Sequence, residues 1–181
     1  MARRPAQGVG RSERHPTRYN GSPMASWAGK LGLDRAAVNH SVRTAVAALA
    51  SMLLARTLKL PEFYWAPIST IVILLSTVSP RALAWQRFAG TAVGAVLGAL
   101  IASFFRPTWL VYSIGIFVCG ILSAILRLHS AYRFAGITLT IILLISHERS
   151  PWIVATHRFV EVSLGIAVGL LVTIIWPLPS P

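Results

Sequence analysis

From about Val42 onward the chain consists of long apolar runs cut at intervals by Pro, Arg and Ser, each close to the roughly 20 residues a helix needs to cross a hydrocarbon core. The first runs from about Val42 to Leu58 and ends at Leu60-Pro61, where proline stops a helix. The second opens on Tyr64 and Trp65, an aromatic pair suited to the headgroup boundary, and ends before Ser79-Pro80. Arg81 to Gln86 reads as a short loop, and the third run extends from Arg87 to about Phe105. The fourth covers Trp109 to Leu126, and a basic turn holding Arg127, His129 and Arg133 overlaps the start of the fifth, about Ala131 to Ile145. His147 to Pro151 then reads as a loop, with Ser150 as N-cap and Pro151 in the first turn of a sixth run ending at Trp176. The pattern predicts an all-α polytopic membrane protein, a six-transmembrane-helix bundle over residues 42–177. No internal repeat is clear enough to claim.

Within the third run Gly90, Gly94 and Gly98 recur every fourth residue, so in a helix they form one stripe, with Ala102 continuing it and Arg87 at its start. In water each glycine would cost a helix roughly 1 kcal/mol relative to alanine. In lipid the balance changes, because helices pack chiefly by close backbone approach through small residues. The stripe is therefore a groove: either the glycines merely pack helices and Arg87 anchors a helix end, or the groove faces a central cavity or a symmetry mate.

Before these runs, residues 1–23 are rich in Arg, Pro, Gly and Ser without a hydrophobic period, which is the composition of a disordered basic cytoplasmic tail. Residues 24–41, with Trp27, Leu31 and Val38 beside Lys30, Asp34 and Arg35, read as a short interfacial amphipathic helix. Residues 178–181 close the chain as a proline-rich tail. The first long apolar run comes too late for a secretory signal. The chain is 55% hydrophobic and only 12% charged, outside the range of a soluble domain. Its net charge of +12 does not point to nucleic acid, since the basic residues gather before the first span and at span ends. That distribution suits anionic lipid and topology. With the N-terminus inside, twelve of the 17 Lys and Arg fall inside (eight up to Arg43, then Arg81, Arg87, Arg127 and Arg133). Five fall outside: Arg56, Lys59, Arg106, Arg149 and Arg158. Both termini are therefore expected in the cytoplasm, with the tail deciding the count.

Charges inside spans carry the functional interest, because an ionisable residue at the bilayer centre costs about 2.5–3.5 kcal/mol or more. Arg158 and Glu161 lie one turn apart on a face that Gly165 and Gly169 continue. They form either a mid-depth site or a structural ion pair at the outer interface, depending on where the sixth helix begins. Arg133 shares a face with Gly136 and Thr140, and Arg87 with Thr91. Each arginine either snorkels to headgroups or receives an organic anion. A cavity lined by arginines on glycine-bearing faces favours anionic, partly apolar molecules such as aromatic carboxylates. Enzymatic, cofactor and metal patterns are absent: His147-Glu148 lacks a second histidine one turn on, no glycine loop is followed by Lys-Ser/Thr, and the one cysteine, Cys119, excludes an intrachain disulfide.

Four elements in order resemble the fusaric acid resistance protein-like family, related to bacterial aromatic acid exporters. They are Tyr64-Trp65 opening a span, Arg87-x-x-Gly90-Thr91-x-x-Gly94, Tyr132-Arg133-x-Ala-Gly-Ile-Thr138, and Arg158-x-x-Glu161-x-x-x-Gly165. The resemblance covers about Val42 to Pro177 and implies an inner-membrane six-helix bundle engaged in efflux of aromatic or other organic acids. Longer relatives carry two bundles and a cytoplasmic domain; this chain has one. The resemblance therefore implies a homodimer or higher homo-oligomer, with the glycine stripe as a contact face, and coupling to the proton gradient through Glu161. The competing expectation is a non-transporting scaffold that holds anionic lipid or a partner protein through its basic tail.

Overall fold

The computed structural model describes residues 35–76, 78–128, 130–145 and 149–177, which form six α-helices and, among the described residues, no strand. They are α1 (Arg35–Thr57), α2 (Trp65–Leu74), α3 (Pro80–Phe104), α4 (Trp109–Ile125), α5 (Tyr132–Leu144) and α6 (Pro151–Ile175). Val38–Pro181 is one compact unit and Met1–Ala37 another. The basic tail, most of the interfacial segment, His147, Glu148 and residues 178–181 lie outside the described residues.

All-α architecture holds, but six equal crossings do not. Only α3 and α6, 25 residues and about 37 Å each, are long and apolar enough to cross a membrane by length and composition. At 10 and 13 residues, α2 and α5 span about 15 and 20 Å, short of a hydrocarbon core about 30 Å thick. The apolar runs look longer in sequence because they include Leu75 and Ile145, which follow the helices and are exposed. The loop expected at Arg81–Gln86 is also helical. Pro80 occupies the first turn of α3 behind Ser79, so Arg87 sits seven residues, about 10 Å, inside the helix rather than at its start.

The helix ends reveal an order that the sequence conceals. After α1, Leu58, Lys59 and Leu60 donate backbone hydrogen bonds to Leu54, Arg56 and Ala55 at 3.1, 3.0 and 3.1 Å. After α4, Leu126, Arg127 and Leu128 donate to Leu122, Ala124 and Ser123 at 3.0, 3.0 and 2.8 Å. Both turns are left-handed helix caps, with Lys59 at φ 54° and Arg127 at φ 55°. The starts of α2 and α5 match as well: Trp65 N–H donates to Glu62, and Phe134 N–H to Ala131, both at 3.0 Å. Ser79 (φ −50°, ψ 125°) precedes Pro80 as Ser150 (φ −54°, ψ 128°) precedes Pro151. Helices α2–α3 and α5–α6, each entered by the same left-handed cap at the end of α1 or α4, are therefore two copies of one unit.

The copies run in opposite directions. Helices α3 and α6 cross antiparallel where the rings of Phe88 and Phe159, equivalent positions in the two copies, meet at 4.9 Å. Leu83 and Ala84 join Val162 and Ile166 in one core on one side of this crossing; Ala95 and Ala99 join Val154 and Ala155 in another. Each short helix packs on the long helix of the other copy and runs parallel to it. A Cβ added at Gly94 would overlap the Ala135 carbonyl of α5, and one at Gly98 would meet Ile142 at 3.2 Å. A Cβ at Gly165 would overlap the Ala66 carbonyl of α2, and one at Gly169 would meet Ile73 at 3.0 Å. The glycine stripe of α3 thus faces α5 of its own chain and is not free for a symmetry mate. Its absent side chains allow the backbone approach that packs helices in lipid. On α1, Arg43, Ala47, Ser51 and Ala55 form a buried stripe, and Arg43 Nη2 donates to Thr173 Oγ1 at 3.3 Å, so α1 at Arg43 lies beside the end of α6.

Candidate functional site

The parallel packing of α2 on α6 and of α5 on α3 brings the first turns of both short helices to the α3–α6 crossing. Buried charge collects there. Arg87 and Arg158 are 7% and 2% exposed, and Glu161 is fully buried. Ten residues, about 15 Å, separate Glu161 from the start of α6, so the α1–α2 connection meets that helix deep along its length.

On the α2 side the charges are partnered. Arg158 does not pair with Glu161 directly: its Nη1 lies 3.4 Å from Oε2 of Glu62, and its guanidinium lies over the Trp65 ring, 3.2 Å from the centroid. The Trp65 indole N–H donates to the same Glu62 Oε2 at 3.0 Å. Glu161 Oε1 accepts the Glu62 backbone N–H at 2.9 Å, while its Oε2 is buried with no hydrogen-bond partner among the described residues. Glu62 and Glu161 are the two acidic residues in the described part of the chain. One carboxylate thus fixes the start of α2 to α6 and the other holds the arginine on the indole.

The α5 side has cations without carboxylates among the described residues. Arg87 Nη2 donates to Ser69 Oγ of α2 at 3.1 Å, and its guanidinium lies 5.0 Å from the Phe134 ring. Its Nε is buried and unpartnered among the described residues. Arg133, exposed, holds its guanidinium 4.7 Å from the same ring. Two guanidinium groups therefore flank one buried phenylalanine at the first turn of α5. Gly90 takes the place that Glu161 occupies in the other copy, letting α5 approach until an added Cβ would overlap the Ala131 carbonyl.

Of the residues singled out in the sequence, Arg87, Thr91, Arg158 and Glu161 are all buried on α3 and α6, and Arg133 joins Arg87 through Phe134. Thr140 stands apart: its hydroxyl donates to Gly136 O at 2.8 Å and lies 3.2 Å from the Tyr112 hydroxyl, at the α4–α5 contact. Tyr64 is exposed, whereas Trp65 turns inward as the platform for Arg158. Glu62, Ser69 and Phe134 escaped sequence reading. The available signal for Glu62 was its charge, one of five acidic residues in the chain, set between two apolar runs. A groove of about 250 Å³ lies between α3 and α6, lined by Ala92, Ala95, Trp152, Thr156 and Phe159. It is apolar and does not reach the arginines. No three His, Cys, Asp or Glu side chains among the described residues gather into a metal-holding group.

Comparison with known proteins finds a family and a relative in the membrane. A family model described as fusaric acid resistance protein-like matches residues 47–172. Over 148 residues the chain is 30% identical to the inner membrane protein YeeA of Escherichia coli (strain K12), an alignment covering 76% of this chain and 40% of that protein. The chain therefore spans less than half the length of this relative. No solved structure matches.

Proposed function

The chain belongs to the fusaric acid resistance protein-like family of membrane proteins, and from that premise we propose that it exports organic anions, aromatic carboxylates above all, across the inner membrane. The observation that carries this reading is Arg87: a guanidinium 7% exposed, bonded to a serine hydroxyl and without a carboxylate partner among the described residues. A buried cation is expensive unless compensated. A carboxylate at the first turn of α5 would supply the missing charge, with Arg133 as its second cation. Glu161, whose Oε2 is buried and unpartnered, is the proton carrier in this reading. The antiparallel duplication, with the site where the copies cross, matches the general plan of secondary transporters.

Both ends face the cytoplasm in this reading, supported by Arg43 in the first half of α1 bonding Thr173 near the end of α6 and by the weight of basic residues at the N-terminus. In this reading the active form is a homo-oligomer. Titration of purified protein with benzoate tests the site. Arg87→Ala is expected to weaken binding at least about tenfold, the loss of one charge-assisted hydrogen bond or more. Undiminished affinity in Arg87→Ala would remove the proposed site.

A further inference from the structure

The two copies are not in the same state: the short helices differ by three residues, and a few side chains at the crossing are bonded differently. Ser69 on α2 and Thr138 on α5 are equivalent: each is buried, and each hydroxyl donates to the carbonyl of the equivalent aromatic residue one turn earlier, Trp65 O and Phe134 O, at 2.9 Å in both cases. Each thereby keeps lone pairs free to accept. Arg87 and Arg158 are likewise equivalent on α3 and α6, and each lies over the aromatic ring of the short helix packed on its own long helix, Phe134 and Trp65. The match ends at one bond. Arg87 reaches across the crossing to the Ser69 hydroxyl, whereas Arg158 turns to Glu62 instead of reaching to Thr138.

We infer that the protein exchanges between two pseudo-symmetric states, in which the bond from Arg87 to Ser69 seen here is replaced by its mirror, Arg158 to Thr138. Breaking the Arg87–Ser69 bond frees α2 from α3. Forming the mirror bond ties α5 to α6. The long helices would serve as the fixed crossing at Phe88 and Phe159, and the short helices, each shorter than a crossing, would open and close the two ends of the bundle in turn. Each state makes one guanidinium–hydroxyl bond, and the second gives up the Arg158–Glu62 ion pair seen here at 3.4 Å. The exchange is biased, not even, because Glu161 and Glu62 hold the start of α2 through a carboxylate whereas Gly90 lets α5 dock backbone to backbone. For its purpose this inference rests on the transport reading; the exchange itself is measured without any anion.

The test places spin labels on cysteines at equivalent exposed pairs in full-length protein carrying Cys119→Ser. One pair is Leu75 with Ile175, where α2 and α6 end; the other is Leu144 with Phe104, where α5 and α3 end. Electron–electron resonance distances should show two populations at each pair, one end widening as the other narrows. Ser69→Ala should shift the ratio toward the second state by about tenfold, the scale of a hydrogen bond to a charged group, and Thr138→Ala should shift it the opposite way. Ser69→Thr keeps the hydroxyl and should leave the ratio unchanged, and thermal melting of each variant separates a shifted population from a lost fold. A single narrow distance at both ends, unaltered by either variant, overturns the exchange, as does a shift of the same sign in both. Benzoate binding that persists alongside a single distance would overturn the exchange alone and leave the anion site standing.

Discussion

Gly94→Ala adds one carbon to the α3–α5 contact, and the structure sets what that carbon meets. Its Cβ would overlap the Ala135 carbonyl oxygen and lie 2.9 Å from both the Cα and the carbonyl carbon of Ala135. Carbon atoms in contact prefer about 3.5–4.0 Å, so α5 must move by about 1 Å. No side chain can rotate away, because every atom concerned is backbone. Overpacking of this kind costs about 3 kcal/mol at the upper end of its range, against a gain of about 1 kcal/mol from replacing a helical glycine. The net loss is about 2 kcal/mol. Gly136→Ala is the control: its Cβ would have a single neighbour, at 3.9 Å, so only the gain of about 1 kcal/mol remains. Because Gly165 meets Ala66 as Gly94 meets Ala135, Gly165→Ala should destabilise by the same amount. Thermal unfolding in detergent should rank Gly136→Ala above wild type and both other variants well below it. A Gly94→Ala protein as stable as Gly136→Ala would refute the packing, and a loss confined to one of the equivalent glycines would refute the duplication.

Other consequences follow from the same geometry. Glu62→Gln leaves Arg158 without its carboxylate partner; at 27% side-chain exposure for Glu62 and a separation of 3.4 Å, it should cost about 1–2 kcal/mol in thermal unfolding. Lys59→Gly and Arg127→Gly, at φ 54° and 55°, should each stabilise by up to about 1 kcal/mol in the same assay, since only glycine adopts that conformation without strain. Destabilisation by either would show that the long side chain matters more than the backbone it sits on.

Much of the fold was legible because lipid demands a simple pattern. The apolar runs, the Ser-Pro start of α6 and the stripes of small residues all follow from period and composition. Helix length was not legible for α2 and α5, since an apolar residue continues a run whether or not it continues a helix. The duplication was hidden because little sequence is needed to specify it. Ser-Pro, Arg-Phe and two glycines recur between α3 and α6, whereas the matched left-handed caps sit on a lysine in one copy and an arginine in the other. Arg87, Arg158 and Glu161 stood out as charges in apolar surroundings. Their partners did not: Glu62 looked like a loop acid, Trp65 like a headgroup anchor and Phe134 like ordinary core. Which aromatic lies beneath which guanidinium is decided by helices far apart in sequence crossing in space.

The central claim is that the crossing of the two copies binds an organic anion at Arg87 and a proton at Glu161. Transport of radiolabelled benzoate by the protein reconstituted in liposomes, driven by an imposed pH gradient, tests it most directly. Wild-type protein should move benzoate against its concentration gradient, and Arg87→Ala should not. Glu161→Gln, which keeps an acceptor for the Glu62 N–H, should retain benzoate binding and lose the response to the pH gradient. Gradient-driven transport at the wild-type rate in both variants would contradict the account.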